Sequence, residues 1–234
     1  MFRSRKALQV ADVSREISVA PSTAHRLLQT LRFRGFVVQD SASKLYVAGP
    51  ALLDVGLSAV RDHDVGAAAR PFVAAVAEKL GETTHLAVLR GASVVFLDSV
   101  ETIRPLRVGS RTATSIPAHA TSAGKVLLAE LSTASLRSLL PNRVLTKVTE
   151  RTITDRTTLE SELTVIREQG YALNVEESES DVSAVAVAIP APPHVEPASI
   201  SVSIPTSRFE STNLGEVVSA LSKAARSVGE RLGA

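Results

Sequence analysis

Cysteine is absent from this 234-residue chain. That excludes a disulfide framework, a thiol nucleophile and a Cys-zinc site, and it fits a reducing, intracellular home. No apolar run approaches the roughly 18–20 residues that a membrane span needs. The N-terminal MFRSRKALQV is basic but lacks an apolar core of signal-peptide length. A soluble cytoplasmic protein with no membrane partner is therefore expected. Common catalytic patterns are missing too. TSAGK (121–125) is not a phosphate loop, because His119 stands where its first Gly belongs and Val126 follows Lys125 in place of Ser or Thr. His25, His63, His85, His119 and His194 form no HxxxH or HExxH pattern, and no GxSxG occurs. No catalytic residue, metal or cofactor is expected, and the chain is not read as an enzyme. His119 is expected to make an ordering hydrogen bond within its own loop. His85 is taken as a structural residue of an exposed strand, and EESESD (176–181) as a solvated loop.

What is present is an uneven charge. Residues 1–48 carry Arg3, Arg5, Lys6, Arg15, Arg26, Arg32, Arg34 and Lys44 against Asp12, Glu16 and Asp40, a balance of +5. The remainder is −3, which leaves the chain at +2. A basic head on a slightly acidic body suggests a polyanion partner for the head alone. Hydrophobic residues make up 44% of the chain, enough for a globular core.

The head has a readable pattern. Leu8, Val10, Val13 and Ile17 can line one helix side. Pro21 suits the first turn of a second helix, since its missing N–H would be unpaired there anyway. Along PSTAHRLLQTLRF, residues Ala24, Leu27, Leu28 and Leu31 fall on one side and are expected to be buried. Ser22, Thr23, His25, Arg26 and Gln29 lie on or beside the opposite side, as suits contacts to base edges and phosphates in a major groove. Arg32 and Arg34 follow at the helix end, within reach of phosphate. Two short strands, Phe36–Gln39 and Lys44–Ala48, flank the turn DSAS, with Lys44 at the edge. Helix, tight turn, helix and hairpin make a winged helix-turn-helix.

Behind it the pattern is α+β. A helical linker (49–65) with Leu52, Leu53, Val55 and Leu57 leads into a helix burying Phe72, Val73, Val76 and Leu80. Strands are expected in THLAVLRGASVVFLDSVE, as two around the turn RGAS, and in LRVGS, YALNVEE, SAVAVAI and ASISVSI. Helices are expected in HATSAGKVLLAEL, in TASLRSLLP, over Leu159, Leu163 and Ile166, and from Asn213 to Leu232. The sum is an antiparallel sheet with helices against it. The expected division is 1–48 head, 49–65 linker and 66–234 body.

Four segments together resemble the IclR family of bacterial transcription regulators: VAPSTAHRLLQTLRFRGFV, HLAVLRGASVVFLDSVE, PAHATSAGKVLLA, and REQGYALNVEESESDVSAVAVAI with ASISVSIP. The resemblance spans nearly the whole chain. It implies a winged helix-turn-helix domain, a helical linker and a GAF/PAS-like effector-binding domain. It also implies dimers or tetramers that bind double-stranded operator DNA and respond to a small organic or aromatic carboxylic acid. By position it implies an effector site at the backbone N–H groups of Ser122 and Ala123, with Asn174, Ala184, Ser201 and Ser203. A carboxylate there agrees with the free N–H groups and dipole of a helix start. Ser201 and Ser203 alternate, so both point to one sheet face.

The chain departs from the family at several points. Asn174 stands where an acid is usual, and offers a donor in its place. Ala184 stands where Cys is common. PAPPHVEP (190–197) replaces a turn that usually holds Gly, with His194 in that place and Pro197 entering the next strand. The family's first helix, ahead of LQVADV, is absent or truncated, which implies a longer natural start or a less stable head. A second reading, a small-molecule sensor or enzyme with a vestigial head, follows from that departure.

Overall fold

The computed structural model describes residues 7–52, 64–193 and 195–234. It divides into two compact units, Met1–Asp62 and His63–Ala234.

In the first unit α1 (Val10–Glu16) and α2 (Pro21–Phe33) are joined by a short turn in which Ser18 takes a positive φ. The hairpin β1 (Val37–Gln39) and β2 (Tyr46–Ala48) follows. Its core is Leu8, Val13, Ala24, Leu28, Val37 and Tyr46. Only half of the expected stripe on α2 is buried: Leu27 and Leu31 are 43% and 41% exposed. The core of this small unit is filled by Leu8 and Val13 together with Val37 and Tyr46 of the hairpin. Ala24 and Leu28 meet these residues, and their neighbours a quarter-turn away do not. Leu8 is not helical. It exchanges two backbone hydrogen bonds with Tyr46, both 2.9 Å, and so adds a third strand-like contact to the hairpin. Ile17, expected on the apolar side of α1, is exposed. Lys44 lies in the turn with φ +58°, ahead of β2. The linker residues Leu53, Val55 and Leu57, and the stretch ahead of LQVADV up to Lys6, lie outside the described residues, as do His63 and His194.

The second unit is a six-stranded antiparallel sheet in the order β5-β4-β3-β8-β7-β6. Its strands are β3 (Thr83–Arg90), β4 (Ser93–Val100), β5 (Ser115–Pro117), β6 (Ala172–Val175), β7 (Val182–Ala188) and β8 (Ala198–Pro205). Period-2 alternation sorts its residues between two layers. Leu86, Val88, Val185, Val187, Ile200, Val202 and Ile204 face α3 (Asp64–Leu80) and the long C-terminal helix α8 (Leu214–Leu232). Ala87, Ala172 and Ala186 face α4 (Ser122–Ala129), α5 (Thr133–Leu139) and α6 (Arg156–Gln169). A short helix, α7 (Thr206–Phe209), follows β8. The expected inward residues Leu159, Leu163 and Ile166 of α6, and Val217, Leu221, Ala225 and Val228 of α8, are all buried.

LRVGS is not a strand. β5 pairs with Ser93–Val95 of β4, and residues 106–110 join no strand. Val108 alone packs inward, and its carbonyl accepts from Thr83 Oγ1 at 2.6 Å. Pro197 precedes β8 and does not enter it. Among the described residues no helix is long and apolar enough to cross a membrane.

Candidate functional site

Two surfaces gather the residues singled out above. On the first unit, Ser22, His25, Arg26, Arg32, Arg34 and Lys44 are exposed, while Thr23 and Gln29 are half-buried. Gln29 leans toward the hairpin. Its Nε2 lies 3.3 Å from both Tyr46 Oη and His25 Nε2. Arg32 Nη1 donates to Gln39 Oε1 at 3.2 Å, and Gln39 Nε2 donates to the Lys44 carbonyl. This chain of bonds ties the end of α2 to the wing. Arg26 and Arg34 have no ion-pair partner among the described residues, so their full charge faces outward.

In the second unit one cavity collects every residue expected to meet an effector. Ser122, Ala123, Asn174, Ala184, Ser201 and Ser203 all line it, together with Phe96, Arg111, Thr121, Ser178 and Val182. The local reason begins at α4. Thr121 caps it, its Oγ1 accepting from Gly124 N at 2.9 Å. The N–H groups of Ser122 and Ala123 precede the first intrahelical bond and have no acceptor among the described residues. Register then brings the sheet side into place. Ala184 pairs with Ser203 and Ala186 with Ser201, so the two serines share the face that looks at α4. The void left between these side chains is about 10 Å³, room for about one water, so a ligand is seated only as the lining side chains move apart.

Asn174 lines the cavity, but its amide is already engaged. Nδ2 donates to Ala120 O at 2.7 Å and to Ser178 Oγ at 3.2 Å, and Oδ1 accepts from Glu177 N. It ties two loops together. The donor expected to face a ligand is spent on the fold.

Sequence reasoning missed Arg111. It is the one charged side chain on the cavity wall among the described residues, and burial lowers its pKa. Nothing in the local sequence RTATS marks it. Its place comes from Ser99, whose Oγ accepts from Arg111 N at 3.2 Å, and from Thr114, which donates twice to its carbonyl. Lys125 was missed as well. It is fully buried, and its ammonium donates to Glu162 (2.6 Å) and to both oxygens of Glu177 (2.7 and 2.9 Å). Glu177 thus makes part of EESESD interior, contrary to the expectation of a solvated loop. Its burial raises its carboxyl pKa, while Lys125 pulls it back.

Two histidines also sit differently than expected. His85 is buried in the middle of the sheet, bonded through Nδ1 to Ser99 Oγ at 2.7 Å and set edge-on to Phe96. Burial, and then the nearby Arg111 charge, hold its pKa down at about 3. His119 bonds outside its own loop, Nε2 to Thr146 O at 2.9 Å, and burial lowers its pKa.

Comparison with known proteins covers nearly the whole chain. A model of the IclR helix-turn-helix domain matches residues 2–41, and one of the bacterial transcriptional regulator IclR C-terminal domain matches residues 57–230. The HTH-type transcriptional regulator XynR of Escherichia coli K12 is 34% identical over 226 residues, covering 97% of this chain and 90% of XynR. A solved chain from Silicibacter sp. TM1040, assigned to the IclR transcriptional regulators, superposes with a TM-score of 0.85 at 27% identity, covering 98% of this chain and 91% of that one. An IclR homologue from Microbacterium hydrocarbonoxydans, solved in complex with 4-hydroxybenzoate, gives a TM-score of 0.77 at 25% identity over 98% and 92% of the two chains.

Proposed function

Since this chain belongs to the IclR family of bacterial transcriptional regulators, with a DNA-binding helix-turn-helix and a C-terminal effector domain, we propose that a small carboxylic acid controls its grip on operator DNA. Residues 1–48 form the DNA-binding head, 49–65 the linker and 66–234 the effector domain. Ser22, His25 and Arg26 read base edges from the outer side of α2, with Thr23 and Gln29 at the margin of that surface. Arg32, Arg34 and Lys44 meet phosphate. The acid lies between the N–H groups of Ser122 and Ala123 and the hydroxyls of Ser201 and Ser203. Asn174 and Ala184 shape the wall. The observation that carries this reading is the convergence of those residues, from α4, β6, β7 and β8, on one cavity.

Physics favours an anion at that place. Two unpaired N–H groups at a helix start carry the positive end of the helix dipole. The three hydroxyls of Ser122, Ser201 and Ser203 have no hydrogen-bond partner among the described residues and turn either way to suit a ligand. The relative solved with 4-hydroxybenzoate makes an aromatic acid one natural candidate. The switch is two-state: the acid binds one arrangement of the effector domains better, and paired chains then present their heads at a different spacing.

The test is a gel shift with the promoter region beside the chain's own gene, at stated salt because the phosphate contribution is salt-dependent. Retarded DNA that small organic acids release or tighten is the expected outcome. Absence of any retarded band across the salt series rejects the reading. Arg26→Ala is expected to weaken operator binding by about 1–3 kcal/mol, the worth of one guanine-edge contact. An unchanged affinity removes Arg26 from the reading surface. Ser201→Ala with Ser203→Ala is expected to lower acid affinity by calorimetry while leaving ligand-free DNA binding intact. Equal titrations of wild type and variant place the acid elsewhere.

A further inference from the structure

Arg111 spends little of its donor capacity. A guanidinium has five N–H donors in a rigid fork. Among the described residues it makes one ion pair, Nη2 to Glu179 Oε2 at 2.7 Å, although its side chain is only 11% exposed. Glu179 is 61% exposed on the loop between β6 and β7 and has no second partner among the described residues. The arrangement is unequal. The cation is built into the protein, held through its backbone by Ser99 and Thr114, whereas its anion hangs from a solvated loop.

Position makes that inequality useful. Arg111 and Val182 line two spaces at once. One is the inner cavity at the start of α4; the other is an open cleft of about 570 Å³ between residues 106–111 and 179–182, with Pro205 and Ser207 at its far side. Arg111 therefore stands where the cavity meets the cleft. The inner end holds neutral donors only, the N–H groups of Ser122 and Ala123 and the serine hydroxyls. The outer end holds a full positive charge whose present partner is easily replaced by a ligand acid. Glu179 is itself 61% exposed, so its carboxylate regains hydration on release while a ligand carboxylate takes over the buried Arg111 charge.

We propose that Arg111 is the specificity-determining residue of the effector cavity and selects a dicarboxylate-class ligand: one carboxylate at the start of α4, and a second that displaces Glu179 from the Arg111 guanidinium. This rests on the cavity being the effector site. A monocarboxylate of the same length fills only the inner end and leaves the Arg111–Glu179 pair closed. A dicarboxylate opens the pair, so the loop carrying Glu179 reports which ligand is bound.

Calorimetric titration of the full chain with malonate, succinate and glutarate, each beside its monomethyl ester, tests this. Pyruvate and 4-hydroxybenzoate serve as monoacid probes. The best dicarboxylate is expected to bind at least about tenfold more tightly than its ester, as a charge-assisted bond to Arg implies. Arg111→Gln is expected to erase that preference and Arg111→Lys to keep part of it. Glu179→Gln, on an exposed loop, is expected to tighten dicarboxylate binding about two- to fivefold by removing the competing anion. A dicarboxylate and its ester binding alike overturns the proposal, as does a preference that survives Arg111→Gln. Binding of the monoacids but of no dicarboxylate overturns it while leaving the cavity reading intact. No heat with any acid overturns both.

Discussion

Lys125→Met is expected to destabilise the effector domain by about 3 kcal/mol, because removing one partner of a buried ion pair leaves the other charge uncompensated. The Lys125 ammonium is fully buried and satisfies all three donors on Glu162 and Glu177. Glu162 is 31% exposed and re-solvates when Lys125 is gone, which keeps the loss near the lower end of the range for buried pairs. Glu177, 11% exposed, has no such escape. The loss has a pH signature. Burial raises the Glu177 pKa from its ordinary 4.5, and Lys125 is what opposes that rise. In the variant the folded pKa climbs further. A folded pKa above the unfolded one contributes stability below the unfolded value and loses it as pH rises. The deficit should therefore be smallest near pH 4–5 and grow toward pH 8. Urea denaturation of both chains at pH 5 and pH 8 measures it. Equal deficits at the two pH values would show that Glu177 is not the stranded charge, and adding Glu177→Leu should restore part of the stability.

Gly124→Ala carries the second large effect, and it couples stability to ligand binding. A Cβ at Gly124 would lie 2.2 Å from the Ala118 carbonyl oxygen, with Ala118 Cα at 2.4 Å. Both are backbone atoms of the short 3₁₀ turn Ala118–Ala120, so no side chain can swing aside. Either the turn or the start of α4 must move. Overpacking of this kind costs about 1–3 kcal/mol, occasionally more. Displacement of α4 also carries the Ser122 and Ala123 N–H groups away from Ser201 and Ser203. Acid affinity is expected to fall by at least about tenfold, the equivalent of roughly 1.4 kcal/mol. Gly66→Ala is the matched control. It sits in α3 with nothing within 4 Å of its added Cβ, and should be neutral or mildly stabilising. Thermal denaturation and calorimetry on the two variants separate a steric cause from a general intolerance of alanine. A Gly124→Ala chain that melts and titrates like wild type would mean that α4 does not need this close approach.

Much of this was legible along the chain. Leu159, Leu163 and Ile166 repeat at helical spacing, end at Gly170 and are all buried, because a surface helix has one neighbour to satisfy and its period declares which side. Ser201 and Ser203 were legible as a pair because a strand alternates. The failures share one cause. Leu27 and Leu31 obey the same period as Leu28, yet the core of Leu8, Val13, Val37 and Tyr46 takes only Ala24 and Leu28 from α2. Residues 106–110 alternate like a strand, yet they join no strand and only Val108 packs inward. Period reports what an element can bury, not what its neighbours leave room to bury.

From the residues alone, this chain was a basic helix-turn-helix head before an antiparallel α+β domain. Local spacing carries that information, because a helix or strand sets its own period; the helix start at Ser122 and the serines of β8 became candidate ligand contacts through the resemblance to the IclR family. The folded chain alone decided that Arg111 closes the cavity, that Asn174 spends its amide on Ala120 and Ser178, and that Lys125 is buried. Their partners lie as far as 68 residues away, as for Arg111 and Glu179, and such charges meet only once the sheet order is set.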